Sequence, residues 1–316
     1  MRNATVLKNI IEKPNLINKV KKEFKRNKSL YFLSIPIIMY YLMFHYKPMY
    51  GALMAFQDYE PIKGLWESDW VGLKHFISFF TDQYFFRLMK NTLAISGASI
   101  LFGFPAPLIL ALLMNEIKNN HYKRTVQTIT YLPHFISIVV ICGMIKNFTA
   151  DTGIINYIIA LFGGERVSLL NSPENFVPIY VISDIWQNAG WGTIIYLAAL
   201  TGIAPELYEA ATIDGANRWQ QTIHVTLSNI MPTIVIMLIL RLGSILTVGY
   251  EKIILLYNPI TMKTADVIST YVYRVGLLDL NWSFSAAVGL FNSIINFLFL
   301  VLTNYLSKKM SETSLW

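Results

Sequence analysis

Charge is what this chain most lacks. Only 14% of its 316 residues are Asp, Glu, Lys or Arg, against about a quarter in an ordinary soluble domain. Cysteine is nearly absent too: Cys142 stands alone, so an intrachain disulfide is excluded and no redox role is implied. His45, His75, His121, His134 and His224 show no metal-ligand spacing, and no Gly-Lys dipeptide occurs. Without that dipeptide there is no phosphate loop ending in Gly-Lys-Ser/Thr, so no cofactor is expected in this chain and it is not expected to hydrolyse nucleotide. No nucleophile elbow or clustered His/Asp points to an enzyme, and Asp184 alone is not a mechanism. No small-residue cleavage site follows the first apolar run. The N-terminus is therefore expected to be no cleavable signal, and the first span to stay as an anchor.

What remains is apolar: 54% of the residues are hydrophobic. They are gathered in runs of roughly 20, the length that crosses a ~30 Å hydrocarbon core at 1.5 Å per residue. A helix satisfies its own backbone hydrogen bonds in lipid, so the expected class is an all-α integral membrane protein. Six transmembrane helices are expected: Leu30–Tyr46 (with a continuation towards Phe56), Leu88–Met114, Val126–Ile145, Val177–Ile203, Ile230–Gly249 and Ser285–Leu306. Pro36, Pro105, Pro107 and Pro133 fall inside them, tolerated where neighbouring helices cover the freed carbonyls, which favours a bundle. The expected organisation is a basic N-terminal segment (1–29), a transmembrane domain (30–306) and a short tail (307–316).

Lys and Arg set the orientation. Nine lie between Arg2 and Lys28, three more are Lys118, Lys123 and Arg124, and Arg218, Lys308 and Lys309 complete one side. The other side holds fewer across longer segments, so both termini are expected in the cytoplasm of a multi-pass protein of the cell membrane. The stretch VKKEFKRNK (Val20–Lys28) abuts the first span. It serves topogenesis and attraction to anionic lipid, not nucleic acid. On the outer side, GIINYIIALFG (Gly153–Gly163) is too short to span and is expected as a surface or re-entrant helix.

Between the fourth and fifth spans stands EAATIDGANRWQQTIHVTL (Glu209–Leu227). Leu207, Ala210 and Ala211 share a helical face, Gly215 permits the left-handed backbone that commonly ends a helix, and Trp219 and Ile223 begin a second apolar face. Small alanines let another surface come close to the backbone. With Glu206, Glu209 and Asp214 and only Arg218 for positive charge, this loop suits a protein partner better than the anionic leaflet.

These residues resemble the EAA loop of ABC importer permeases, with Glu209, Ala210, Ala211, Asp214, Gly215, Ala216 and Leu227 matching. Ser228 stands where proline is usual and Thr222 where a bulky apolar residue is frequent. YKPMYGALMAFQDY (Tyr46–Tyr59), WVGLKHF (Trp70–Phe76), LLYNP (Leu255–Pro259), DVISTYVYRVGL (Asp266–Leu277) and AAVGLFNS (Ala286–Ser293) look like carbohydrate-uptake permeases. Within these, they resemble the branch handling complex oligosaccharides such as alginate and rhamnogalacturonan-type acidic sugars. The resemblance implies a type I importer fold whose loop 204–228 docks on a separate ATPase. It also implies a second homologous permease, a dimer of ATP-binding subunits using ATP and Mg, and an extracytoplasmic solute-binding protein.

A sugar path needs polar stripes within spans. Asp184, Gln187, Asn188 and Trp191 stand at i, i+3, i+4 and i+7, and Ser285, Gly289, Asn292 and Asn296 line up along the sixth span. Amides and carboxylates can bond sugar hydroxyls and an indole can stack on a pyranose; equally, such residues join helices to one another. Arg241, near mid-depth of the fifth span, needs a partner or a wet cavity. Three placements stay open for it: an ion pair with Asp184, the conduit, or the membrane interface or partner permease. An ion-gradient-driven secondary carrier is the alternative function, although no repeat between halves supports it.

Overall fold

The computed structural model describes residues 23–311 and 313–316, the side chains of residues 310 and 311 excepted. Most of the basic N-terminal segment expected above (residues 1–22) lies outside the described residues. Two units make up the chain, Met1–Leu53 and Met54–Trp316.

α1 (Lys28–Tyr41), in the first unit, carries Pro36 inside it and runs on through a π turn at Leu42–Tyr46 into a 3₁₀ segment, Lys47–Phe56, whose last three residues belong to the second unit. The whole run of 29 residues is long enough to span, so the continuation towards Phe56 is met. Its ring contacts are local, Tyr40 to Phe44 at 5.3 Å and Tyr41 to His45 at 5.0 Å.

The second unit starts with an antiparallel pair of short strands, β1 (Gln57–Asp58) and β2 (Asp69–Trp70), followed by α2 (Lys74–Phe80). The next span is α3 (Phe85–Ala98), a π turn (Ser99–Gly103) and α4 (Pro105–Asn115). Proline removes an N–H, and the wider turn just before it carries the chain to Pro105 with Phe104 N donating to Ser99 O at 3.1 Å.

The third span differs from its expected position. Val126–Ile145 is not one helix: α5 (Asn120–Tyr131), capped by the Asn119 side chain, gives way to a 3₁₀ turn at Leu132–Phe135 containing Pro133. Ile136 is then extended, and α6 (Ile138–Thr149) starts afresh and leads into α7 (Ile154–Leu161). The apolar run that qualifies as a span is Ile138–Leu161. Pro133 removes a backbone N–H at the turn, and the extended Ile136 after it separates α5 from α6.

The fourth span, α8 (Pro173–Thr201), starts with proline at its first position and bends by 70° into α9 (Pro205–Ile213). α10 (Arg218–Gln220), a π turn (Gln221–Leu227) and α11 (Ser228–Leu242) run on as one helix, and the fifth span is that whole run, Arg218–Leu242. It stops seven residues short of the expected Gly249, because Ser244 Oγ and the backbone of residues 243–247 turn back on the helix end. Short helices α12 (Tyr250–Leu256), α13 (Met262–Ala265) and α14 (Ile268–Tyr273) precede the last span, α15 (Trp282–Ser311). Among the described residues, five helices are long and apolar enough to cross a membrane, and the bent α8–α9 pair makes a sixth.

Three buried clusters hold the second unit. One joins Ile95, Ile141, Phe176, Val181, Ile253 and Val267. Another joins Phe79, Leu88, Ile268, Phe284 and Val288, and the third Ala111, Tyr196, Leu200 and Ile230. Helix α8 is the axis, packed along α4, α5 and α11. Its approach to α5 needs a glycine: a Cβ on Gly190 would fall 2.0 Å from the carbonyl oxygen of Thr130. Small residues permit such backbone-close crossings in membrane bundles.

Candidate functional site

A cavity of about 420 Å³ lies among α3, α4, α8 and α11. Asp184, Asn188 and Trp191 from α8 and Arg241 from α11 line it, with Tyr180, Tyr196, Ser96, Ser99, Ser244 and Thr247. Helical spacing explains the first set, since residues four apart share a face. A second cavity of about 250 Å³ holds Gln187 and Lys252 and shares Tyr180, Asp184, Asn188 and Gly249 with the first. The fourth-span stripe is thus brought together as one wall between two hollows.

That wall is hydrogen-bonded along its length. Asn188 Nδ2 donates to Asp184 Oδ1 at 2.9 Å, and His134 Nδ1 lies 3.1 Å from Asn188 Oδ1. The imidazole of His134 stacks on Trp191 with ring centroids 4.7 Å apart and planes 4° from parallel. Pro133 places His134 here by ending α5 beside α8. The indole of Trp191 is half open to the surroundings, so a flat apolar face stays available beside amide and carboxylate groups.

Arg241 does not pair with Asp184. Asp184 faces Lys252 instead, with Nζ 3.8 Å from Oδ1, whereas Arg241 makes no ion pair among the described residues and is exposed within the larger cavity. Lys252 is only 4% exposed, and its Nζ has no hydrogen-bond partner among the described residues and lies 5.1 Å from the ring centroid of Tyr180. Burial pushes its ammonium below the ordinary lysine range, and the carboxylate of Asp184 opposes that shift. Neither Lys252 nor His134 stood out in the sequence. A lone lysine within the otherwise apolar KIILL of α12 was the available sign.

The sixth-span stripe lies elsewhere. Asn296 Oδ1 accepts from the backbone N–H of Leu246 at 2.9 Å and its Nδ2 donates to Thr247 Oγ1 at 2.9 Å, tying α15 to the turn after α11. Asn292 is half-buried with Oδ1 unpartnered. Neither residue lines the two cavities.

The loop after α8 is built as a compact knob. Helix α9 ends with Gly215 at φ +78°, where Ala216 N donates to Ala211 O at 2.9 Å and Gly215 N to Thr212 O at 3.1 Å. This pair of bonds is the Schellman closure, which only a residue tolerant of the left-handed region supports well. Asn217 then starts α10 with a reciprocal capping box, its side chain accepting from Gln220 N and its N–H donating to the Gln220 side chain. Gln221 Nε2 braces the two limbs by donating to Thr212 Oγ1 and Ala216 O, each at 3.1 Å, and Tyr208 OH lies 3.0 Å from Thr226 Oγ1. Glu209 and Ala210 are exposed on the outer face of α9. Ile213 and Trp219, at 86% and 72% exposed, flank a hollow of about 350 Å³ lined by Ala211, Asp214, Gly215 and Ala216. Ser228 simply continues the helix where proline is usual.

Comparison with known proteins fits this arrangement. The family described as binding-protein-dependent transport system inner membrane component matches residues 103–312. Protein LplB of Bacillus subtilis (strain 168) is 45% identical, with 92% of each chain covered. The polygalacturonan/rhamnogalacturonan transport system permease protein YteP of the same strain is 44% identical, covering 92% of this chain and 91% of its own. Among solved structures, a chain of a bacterial alginate ABC transporter in complex with an alginate pentasaccharide-bound periplasmic protein superposes with a TM-score of 0.85. It is 45% identical, and the match covers 93% of this chain and 99% of that one. The chain belongs to the family of inner-membrane components of binding-protein-dependent transport systems, a family of permeases and not of enzymes, and its sequence likeness to carbohydrate-uptake ABC permeases is borne out.

Proposed function

We propose that the chain is the permease subunit of an ATP-driven importer of oligosaccharides, acidic ones among them. It works beside a second homologous permease, above a dimer of ATP-binding subunits, and receives sugar from an extracytoplasmic binding protein. Both termini and the 204–228 loop face the cytoplasm of the cell membrane. The names of the relatives support the sugar class: one handles polygalacturonan and rhamnogalacturonan, another sits in an alginate transporter. A free cation in the larger cavity, Arg241, supports the acidic part, because a carboxylate there meets an unneutralised guanidinium in a partly desolvated site.

One observation carries the reading. Helix α8 presents Asp184, Asn188 and Trp191 to the cavities and, 70° around a short bend, continues as the alanine-faced knob. The bent α8–α9 pair thus links the polar wall to a surface shaped for close docking, and a push on the knob is carried through the bend to the wall. In this reading ATP and Mg are spent on the partner subunit, and Glu209, Ala210, Ala211, Asp214, Gly215 and Ala216 receive the stroke. Asp184, Gln187, Asn188 and Trp191 bond and stack on the passing sugar.

The test is Gly215→Asp and Glu209→Lys in the assembled transporter. At φ +78° an aspartate strains the closure, and a lysine reverses the charge offered to the partner. Normal membrane insertion is expected, with uptake lost and the ATPase detached or its hydrolysis uncoupled. Uptake at the wild-type rate in either variant, or uptake that survives removal of every ATPase, refutes the assignment.

A further inference from the structure

The second cavity contains a cation whose bonding is unfinished. Lys252 is buried, its ammonium carries three N–H donors, and none of them has a hydrogen-bond partner among the described residues. Asp184 stands 3.8 Å away, beyond hydrogen-bond reach, with its nearer oxygen already accepting from Asn188. The ring face of Tyr180 supplies diffuse attraction but no acceptor. A lysine kept in place for stability alone would close on its counter-ion, as Arg274 does on Asp266 at 2.8 Å in the same unit. Glu251, the other charged lining residue, is exposed.

We propose that Lys252 is a carboxylate-binding residue for the transported sugar, and that Asp184 is the internal anion that holds its place until a sugar carboxylate replaces it. The proposal rests on the importer reading above. A hexuronate entering the 250 Å³ cavity brings two acceptor oxygens to donors that are already desolvated, so the cost of burying the ammonium has been met in advance. The released Asp184 turns towards the larger cavity it also lines, where Arg241 is unpaired. A neutral sugar hydroxyl accepts from the same ammonium but lacks the opposite charge that makes the carboxylate contact an ion pair. Two cations on either side of one carboxylate thus form a relay in which the sugar's charge is exchanged for that of Asp184.

The experiment uses the complete importer in proteoliposomes and measures uptake of a uronic-acid oligosaccharide well below half-saturation. Lys252→Gln is expected to lower uptake by about tenfold, the difference between a charge-assisted and a neutral hydrogen bond. For Asp184→Asn the ratio of uptake of the acidic oligosaccharide to that of its carboxyl-reduced counterpart is expected to rise several-fold, because the competitor for Lys252 has lost its charge while the amide keeps the shape. A merely structural ion pair predicts that each substitution lowers uptake of the acidic and the carboxyl-reduced sugar by the same factor, leaving that ratio at the wild-type value. That outcome, or an unchanged Lys252→Gln, overturns the proposal while leaving the importer reading intact. Absence of any sugar uptake by the wild-type transporter defeats the importer reading and the proposal with it. Where Lys252→Gln fails to assemble, Asp184→Asn decides alone: a raised ratio of acidic to carboxyl-reduced sugar uptake supports the proposal, and a ratio at or below wild type refutes it.

Discussion

Two carboxylates in the same unit, one buried and one partly exposed, are treated in opposite ways. Asp266, 2% exposed, is saturated: Arg274 Nη2 donates to it at 2.8 Å, Thr270 Oγ1 at 2.8 Å and Arg87 Nη2 at 3.4 Å, while Asn91 Nδ2 donates to its backbone carbonyl at 2.9 Å. Asp184 faces a lysine that it does not hydrogen-bond and an arginine that it does not pair with. The first arrangement ties the start of α3 to α13 and α14 and leaves no lone pair seeking a donor. The second leaves donors open along two cavities. Electrostatics in a low-dielectric interior penalises unfinished bonding, so a site left unfinished beside a hollow is one that a ligand completes.

The sharpest way to break this comparison is at the saturated end. Asp266→Ala leaves two guanidinium groups without their buried anion, and removal of one partner from such a pair costs about 3–5 kcal/mol. The expected outcome is loss of folded, assembled transporter from membranes, read as a collapse in the monodisperse fraction after detergent extraction. Thermal unfolding of Asp184→Asn gives the contrast: its midpoint should stay near wild type, because the group is partly exposed and its pairing is loose. Equal destabilisation by the two substitutions would mean that both carboxylates serve the fold.

Arg241 gives the next largest effect. Arg241→Gln removes the unpaired cation of the larger cavity while keeping a polar, hydrogen-bonding side chain of similar reach. Uptake of an acidic oligosaccharide should fall by about tenfold, on the scale of one charge-assisted contact. A carboxyl-reduced sugar of equal length should change less than the acidic one. Equal loss for both sugars would assign Arg241 to helix packing and take away the electrostatic argument for an acidic substrate.

How far these regions could be read in the sequence follows from the range of the interactions. The knob was legible because it is local: a helix, Gly215 where a left-handed residue ends it, and an apolar restart all fall within twenty residues. The Asp184, Asn188 and Trp191 stripe was legible because helical periodicity brings it to one face. Its partner was not. Lys252 lies 68 residues further on in a short helix, and nothing local says that α12 folds against α8 instead of staying at the outer surface. The third span was misplaced for a related reason: Val126–Ile145 is apolar enough to span, but Pro133 and the extended Ile136 divide it, and the following α6–α7 run takes its place. Hydropathy cannot weigh one broken helix against the next.

The smallest effect concerns the sixth span, where periodicity alone allowed either a conduit or a brace. Asn296 makes two cross-helix bonds, accepting from Leu246 N–H and donating to Thr247 Oγ1, and both fix the turn that ends α11. Such bonds inside membrane bundles average about 0.6 kcal/mol. Asn296→Ala should therefore lower the thermal midpoint of the assembled transporter slightly while leaving the acidic-to-neutral uptake ratio unchanged. Thr247 also lines the larger cavity, so loss of the brace reaches Ser244 and Arg241 only through the position of that turn. A changed sugar preference in Asn296→Ala, larger than its change in stability, would place Asn296 on the sugar's route and extend the polar wall from α8 across to α15.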